Sequence, residues 1–172
     1  MLMRSKLFVP ASRPELFPKA EASAADALSF DLEDSVVEDR KDEARDNLEI
    51  YLRARKSSSK VVVARINAVD TPHFAHDVRA TALADILNLP MAEDPSAIIV
   101  LAEHIAKYES APGHSRILVN IETPKGLRRA AILAAAHPRV IGLQVGYADL
   151  LEPYGIDRRD VAVLDQVGRL HR

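Results

Sequence analysis

The stretch ALSFDLE, residues 27–33, carries the pattern from which the fold is predicted. Side chains of a β-strand alternate between its two faces, so Ser29, Asp31 and Glu33 share one face. The phenylalanine and the leucine between them share the other face. We therefore expect a strand with one apolar face and one polar face, whose polar groups lie near its carboxyl end.

Five further apolar runs, rich in Val, Ile, Leu and Phe, are also predicted to be strands. The six predicted strands cover residues 6–10, 27–33, 61–67, 84–90, 116–122 and 140–146. Helical patterns follow them at residues 14–25, 37–56, 73–82, 95–110, 124–136 and 158–170. Strands that alternate with helices are typical of βαβ units and predict a mostly parallel sheet.

Polar side chains recur on one face near the carboxyl ends of five of these six strands. Beyond residues 27–33 they are Arg65 and Asn67, Asn88, Asn120 and Glu122, and Gln144. An open doubly wound sheet buries both faces under helices, whereas a closed barrel brings such positions to a common mouth. The predicted fold class is therefore α/β, a TIM-type (β/α) barrel. Because a complete barrel needs roughly 250 residues, residues 1–172 are expected to form a single, incomplete barrel domain with about six of eight βα units.

Composition excludes several classes of function. The chain has 172 residues, with 23 Lys and Arg against 25 Asp and Glu, and it has no cysteine. A net charge of −2 gives no electrostatic case for binding nucleic acid or an anionic membrane. The missing cysteine excludes disulfides and thiolate sites. No GxGxxG, P-loop, HExxH or GxSxG motif is found, so the functions that these motifs indicate are not supported. No long apolar run is found either, so a soluble, cytoplasmic protein is expected.

An acidic motif and an arginine on neighbouring strands form the first candidate site. Asp31, Glu33 and Asp34 would be costly to bury without a cation. Arg65, one strand over, is suited to bidentate recognition of a substrate carboxylate. A purely structural ion pair between these acids and Arg65 is the alternative. The charged run from Glu38 onward is interpreted as the solvated surface of a helix.

Two further acids form a candidate metal site. Glu122 ends the fifth predicted strand, and Asp149 follows the sixth. Gly146 would allow the backbone to approach closely. Mg²⁺ is commonly held by one or two carboxylates, with water and substrate in the other positions. The alternative for Asp149 is a helix or turn cap. His73 and His76 are interpreted as surface residues.

Taken in order, seven short motifs resemble the citrate lyase β-subunit family of CoA-thioester lyases, within the HpcH/HpaI aldolase superfamily. They are RSKLFVP at 4–10, SRPE at 12–15, DLEDSV at 31–36, ARIN at 64–67, LP at 89–90, IETPKGL at 121–127 and GYADL at 146–150. The resemblance implies a TIM-type barrel and a homo-oligomer, a trimer or a hexamer.

The resemblance also implies roles for individual residues. Glu122 and Asp149 would hold Mg²⁺, and Arg65 would bind the carboxylate of a 2-oxo acid. The acids of the DLED motif would support the metal shell and nearby waters. The candidate catalytic residues are Arg65, Asp31, Glu33 and Asp34, and the candidate substrate-binding residues are Arg65, Ser12, Arg13 and Gly146, with Ser12 and Arg13 near the CoA.

The sequence departs from the family pattern in three places. Met91 stands where the family commonly has lysine, and Ala11 stands where it commonly has glycine. Family members also continue into two more strands and a C-terminal segment that lends a carboxylate to a neighbouring subunit. That segment is expected to be missing, which leaves the general base unassigned.

The resemblance implies a Mg²⁺-dependent carbon–carbon lyase. Its substrate would be a 3-hydroxy-acyl-CoA thioester of the citryl-, malyl- or citramalyl-CoA kind, cleaved to acetyl-CoA and a 2-oxo acid. A class II aldolase acting on free 2-oxo acids is one alternative. The absence of a histidine before His73 favours the thioester branch. A truncated, catalytically impaired subunit or binding module is the other alternative.

Overall fold

A computed structural model provides the fold and describes residues 3–55 and 60–171. The strands are β1 (Lys6–Pro10), β2 (Ala27–Asp31), β3 (Val61–Arg65), β4 (Ile86–Leu89), β5 (Arg116–Ile121) and β6 (Val140–Val145). All neighbouring pairs are parallel, in the order β1-β2-β3-β4-β5-β6. Each strand therefore pairs with the next one along the chain, as in a TIM-type barrel. The sheet is not closed, because β1 and β6 do not pair.

Helices follow each strand of this sheet. They are α1 (Phe17–Glu21), α2 (Lys41–Ala54), α3 (Phe74–Ala80), α4 (Pro95–Tyr108), α5 (Pro124–Arg128), α6 (Ala130–Ala134), α7 (Tyr147–Leu151) and α8 (Val161–His171). Short 3₁₀ turns cover Pro14–Leu16, Glu38–Arg40 and Glu152–Tyr154. No helix in these described segments has the length and apolar character needed to cross a membrane.

The helices differ from the prediction in number and in bounds. The predicted helix 14–25 is a 3₁₀ turn followed by the short helix α1. The predicted helix 124–136 is two helices, because Arg129 has φ −106° and ψ 9° and leaves helical geometry. The short helix α7 was not predicted. Residue 56, at the predicted end of the second helix, lies outside the described residues. Asp94 and Thr123 cap α4 and α5, where their side chains accept hydrogen bonds from the N–H groups of Ser96 and Gly126.

The two faces of the sheet have different environments. The outer face packs against the helices, where the ring of Phe30 contacts those of Phe17 and Tyr51 with centroid distances of 4.8 and 4.7 Å. A smaller apolar cluster fills the inner face and consists of Ala27, Val61, Val63, Ile86 and Leu118. Above it toward the carboxyl ends, the inner side chains become polar, as the alternation predicts.

The sheet curls strongly enough for its first and last strands to touch. Lys6 of β1 donates a hydrogen bond from Nζ to Oε1 of Gln144 on β6. These strands stand at opposite ends of the sheet order. The inner face is therefore the concave interior of a barrel-like arc, and the residues on it converge.

One expected member of the inner polar face lies elsewhere. The prediction that Asn67 shares this face with Arg65 is wrong, because β3 ends at Arg65 and strict alternation stops there. The side chain of Asn67 instead contacts Lys41 of α2 and Asp77 of α3. Asn67 belongs to the layer between sheet and helices.

Candidate active site

A cavity of about 520 Å³ opens over the inner face at the carboxyl ends of the strands. Its lining brings together four of the predicted site residues, Arg65, Glu122, Gly146 and Asp149. The remainder of the lining comes from Phe8, Asn120, Gln144, Tyr147, Ala148, Arg158, Arg159 and Leu164. This is the position at which TIM-type barrels hold their catalytic groups.

Arg65 lies at the centre of an acidic cluster. Its Nε and Nη2 donate to the two carboxylate oxygens of Asp31 at 2.8 and 2.7 Å, a bidentate pair. Its Nη1 donates to Oδ2 of Asp34 at 3.1 Å. The same Nη1 lies 2.9 Å from Oε2 of Glu33 in an ion-pair contact that lacks hydrogen-bond alignment. The structural ion pair considered from the sequence is therefore present, and it involves all three acids.

The acids around Arg65 differ in how easily they ionise. Burial favours protonation of Asp31, but its hydrogen bonds and charge interaction with Arg65 outweigh burial and lower its pKa. Burial, together with the negative charges of Asp34, Glu122 and Asp31, raises the pKa of Glu33 to about 8. Glu33 can therefore hold a proton at neutral pH while Asp31 stays ionised beside Arg65.

The raised pKa of Glu33 predicts a pH-dependent stability. Between pH 4.5, the ordinary pKa of this group, and about 8, the folded chain keeps a proton that the unfolded chain has released. Stability from this group therefore falls as pH rises across that interval. We expect Glu33→Gln to gain stability relative to the unsubstituted chain as pH rises from 5 to 8. Urea unfolding at pH 5, 7 and 9 measures this, and parallel pH profiles would contradict it.

A buried lysine of α2 binds the backbone of the segment that carries Glu33. Lys41 is 8% exposed, and its Nζ donates to the carbonyls of Leu32 and Glu33, both at 2.8 Å. It also donates to Oδ1 of Asn67 at 2.9 Å. Asn67 in turn donates from Nδ2 to Oδ2 of Asp77, a fully buried carboxylate. Lys41 thereby fixes the backbone from which Glu33 reaches Arg65.

The interpretation of the charged run after Glu38 as a solvated surface is thus wrong in part. Lys41 and Arg45 are both buried, and Arg45 donates from Nη1 to Oδ1 of Asp77 at 3.0 Å. The intrahelical pairs Arg40–Glu43 and Arg53–Glu49 do lie on the exposed side. The periodic spacing of residues 41, 45 and 48 is the signal that would have indicated a buried stripe.

Glu122 is held by two donors on the opposite side of the cavity. Its Oε2 accepts the N–H of Met91 at 2.9 Å, and its Oε1 accepts Nδ2 of Asn120 at 2.8 Å. Met91 adopts a φ of 52°, a left-handed conformation that is costly for a residue with a Cβ. Burial, with the nearby charge of Asp149, raises the pKa of Glu122 above its usual range.

Gly146 makes the position of Glu122 possible. A Cβ added at Gly146 would lie 2.5 Å from Cγ and 2.8 Å from Oε1 of Glu122. Both distances are far below van der Waals contact. The sequence prediction that this glycine permits a close backbone approach is therefore explained by one specific contact.

The donor set at this end of the cavity fits a hard divalent cation. Glu122 and Asp149 offer carboxylate oxygens, and Oδ1 of Asn120 is buried without a hydrogen-bond partner. Within residues 3–55 and 60–171, no cluster of three or more His, Asp or Glu side chains is placed to hold a metal. Two carboxylates with oxygen ligands match Mg²⁺ better than a histidine-rich transition-metal site.

Ser12 and Arg13 lie outside this group. Neither is part of the cavity lining. Ser12 is buried and its carbonyl accepts Nη2 of Arg40 at 2.8 Å, while Arg13 is exposed and pairs with Glu15. No side chain caps the 3₁₀ turn that begins at Pro14.

Neither His73 nor His76 is part of the cavity lining, and Asp149 lies within a helix. His73 contacts Glu38 and Arg45 at the start of α3, and His76 lies in α3 next to α2. Among the side chains that the structure describes, no histidine lines the cavity. Asp149 lies inside α7, so the interpretation of its carboxylate as a terminal cap is not supported.

Three positions near the site were missed from the sequence. Lys6, Lys41 and Asp77 lie in stretches whose patterns indicated only a strand or a helix. The inward placement of Lys6 could have been found, because it shares a strand face with Phe8 and Pro10. The pairing of Lys41 with carbonyls 32 and 33 depends on tertiary packing and has no local signal.

Fold and cavity together define a β/α-barrel protein whose arginine- and carboxylate-bearing cavity opens at the carboxyl ends of its strands. The profile of one family, described as HpcH/HpaI aldolase/citrate lyase, matches residues 4–163. The chain therefore belongs to the HpcH/HpaI aldolase/citrate lyase family, which confirms the resemblance seen in the sequence.

Named relatives agree with this assignment. The chain is 34% identical over 161 residues to L-malyl-CoA/beta-methylmalyl-CoA lyase of Cereibacter sphaeroides, covering 89% of this chain and 51% of the relative. It is 32% identical to citrate lyase subunit beta of Escherichia coli, covering 90% and 53%. The chain thus spans about half the length of the curated relatives it matches.

A solved structure supports the fold at similar identity. The citrate lyase beta subunit of M. tuberculosis, complexed with oxaloacetate and magnesium, aligns with a TM-score of 0.76 at 34% identity. The alignment covers 96% of this chain and 70% of that one. The TIM-barrel-type fold predicted from the strand pattern is confirmed, with a sheet that stays open in this chain.

Proposed function

We propose that this chain provides the metal and carboxylate sites of a Mg²⁺-dependent carbon–carbon lyase. Its substrate would be a 3-hydroxy-acyl-CoA thioester of the citryl-, malyl- or citramalyl-CoA kind, which yields acetyl-CoA and a 2-oxo acid. The observation that carries this proposal is the convergence of Arg65, Glu122 and Asp149 on one cavity. The names of two lyases and of a magnesium complex among the relatives support it.

The residues of the cavity have separate tasks in this proposal. Glu122 and Asp149 would hold Mg²⁺, which when bound supplies a Lewis acid that favours the oxyanion form of substrate oxygens. Arg65 orients the carboxylate of the acid half, and Asp31 fixes the plane of its guanidinium by the bidentate pair. Glu33, protonated near neutral pH, can hold or release a proton beside that carboxylate. Ser12 and Arg13 remain proposed CoA contacts outside the cavity.

A class II aldolase acting on free 2-oxo acids is the second candidate. The described lining of the cavity contains no histidine, and the first histidine of the sequence is His73. Both observations favour the thioester lyase over the aldolase. Cleavage rates on citramalyl-CoA and on a free 4-hydroxy-2-oxo acid separate the two reactions. A homo-oligomer is proposed in either case, since β1 and β6 each leave one edge unpaired.

The metal site is tested by calorimetric titration with Mg²⁺. We expect the unsubstituted chain to bind Mg²⁺ and Glu122→Gln to lose at least about tenfold in affinity, because one of two anionic ligands is removed. Gly146→Ala should lose a similar amount, since the new Cβ would lie 2.5 Å from Cγ of Glu122 and displace it.

Gly168→Ala is the matched control for the glycine variant. Gly168 lies in α8, and a Cβ there would meet nothing within 4 Å. This variant should keep its Mg²⁺ affinity, and circular dichroism should show that all variants are folded. Equal Mg²⁺ affinity of all variants and the unsubstituted chain would refute the assigned metal site.

A further inference from the structure

Arg65 has little capacity left for a second anionic group. Nε and Nη2 are engaged by Asp31, and Nη1 faces Asp34 and Glu33. All three nitrogens of the guanidinium therefore already face a carboxylate. A ligand carboxylate can replace the more exposed Asp34, whose side chain is 65% exposed. A ligand with two carboxylates needs another cation. Arg158 and Arg159 line the cavity, but their side chains are exposed and already pair with Glu152 and Asp157.

Lys6 is a cation with donors to spare on the inner face. Its Nζ donates to Gln144 and lies 4.6 Å from the centre of the Phe8 ring. An ammonium group carries three N–H donors, so two remain for a ligand. Gln144 and Phe8 both line the cavity. Burial, with the positive charge of Arg65, lowers the pKa of Lys6 to about 8, and the negative charge of Glu122 opposes this shift only in part.

The two cations lie close enough for one short dicarboxylate to reach both. Cζ of Arg65 lies 5.8 Å from the centre of the ring from which Nζ of Lys6 is 4.6 Å away. The two groups are therefore at most about 10 Å apart, the sum of these distances. The carboxylate carbons of a four-carbon dicarboxylate are about 4 Å apart, and charge-assisted contacts add about 3 Å at each end.

We infer that Lys6 binds a second carboxylate on the acid half of the substrate and so selects four-carbon 2-oxo dicarboxylates over 2-oxo monocarboxylates. This rests on the proposed function, because it specifies the acid that the Arg65 site receives. Lys6 acts here as a specificity-determining residue beside the cavity, where its ammonium contacts the lining residues Gln144 and Phe8.

Oxaloacetate and pyruvate form a matched pair of probes, since pyruvate is oxaloacetate without its second carboxylate. Calorimetric titrations are made in the presence of Mg²⁺ with the unsubstituted chain and with Lys6→Met. We expect Lys6→Met to weaken oxaloacetate binding at least about tenfold, the loss of one charge-assisted hydrogen bond, and to change pyruvate binding less than twofold. Lys6→Arg, which keeps the charge, should retain the preference for oxaloacetate.

Lys19→Met, on the exposed surface of α1, is the control for lysine replacement. Equal losses for both acids in Lys6→Met, or no loss for either, would overturn the role of Lys6 alone. If the unsubstituted chain binds neither acid, the proposed function itself fails. Lys6→Gln serves as the test variant if thermal unfolding shows that Lys6→Met is not folded.

Discussion

Replacing Arg65 by methionine is expected to cost this protein about 3–5 kcal/mol of folding stability at pH 7. The substitution keeps much of the side-chain length but removes the positively charged group that pairs with the Asp31 carboxylate. Asp31 is 3% exposed and Arg65 is 13% exposed, so water cannot replace the lost ion pair. A buried, uncompensated carboxylate is among the most destabilising defects in a folded protein.

The sign of the pH dependence distinguishes this cause from a packing defect. The pKa of Asp31 is lowered in the folded state, so its ion pair contributes stability above its unfolded pKa. That contribution is lost as pH falls through the folded value. The deficit of Arg65→Met should therefore be largest at neutral pH and should shrink toward pH 3, as measured by urea unfolding.

Arg53→Met provides the control for this prediction. Arg53 pairs with Glu49 on α2, and its side chain is 69% exposed. Exposed pairs of this kind contribute about 0.3–0.5 kcal/mol, so this variant should unfold almost as the unsubstituted chain does. A loss below 1 kcal/mol in Arg65→Met at pH 7 would show that the acidic cluster does not depend on the arginine. Arg65→Met should also lose binding of 2-oxo acids.

Replacing Lys41 by methionine is expected to cost about 2–4 kcal/mol. The carbonyl of Glu33 and Oδ1 of Asn67 would each lose a hydrogen bond in a buried place. The carbonyls of Leu32 and Glu33 would each keep one donor, Nδ2 of Asn67 at 2.9 Å and the N–H of Val36 at 3.1 Å. Methionine has a similar length, so the loss reports hydrogen bonding and charge more than volume.

Lys41→Met should also weaken the ligand site, although Lys41 does not line the cavity. The loop that carries Glu33 would be released on its helix side, while Asp31 still accepts the N–H groups of Glu33 and Ser35 at 2.9 and 3.1 Å. We expect weaker oxo-acid binding in titrations and unchanged Mg²⁺ binding at Glu122. Stability equal to that of exposed Lys19→Met would argue against a supporting role for Lys41.

Much of the site was predictable because strand alternation determines which side chains meet. The apolar runs and their order indicated a parallel β/α sheet, and the polar ends of the runs indicated a common mouth. Arg65, Glu122, Gly146 and Asp149 do line one cavity. Alternation holds only while the strand lasts, and for that reason it assigned Asn67 to the wrong face.

What the sequence did not reveal depends on contacts between distant elements. Lys41 belongs to a charged helix, and only the packing of α2 against the sheet shows that its ammonium reaches carbonyls 32 and 33. The left-handed backbone of Met91, which presents an N–H to Glu122, has no residue-type signal, since glycine or asparagine is usual there.

The sequential order of the strands has a consequence for how the chain folds. Register partners in adjacent strands are separated by between 21 and 34 positions, from Lys6 with Ala27 to Ala27 with Val61. Each new strand can therefore dock on the one just completed, without waiting for a later part of the chain. The contact between Lys6 and Gln144 spans 138 positions and can form only after β6 has docked. The inner cavity is accordingly expected to be the last part of the six-stranded sheet to assemble during synthesis.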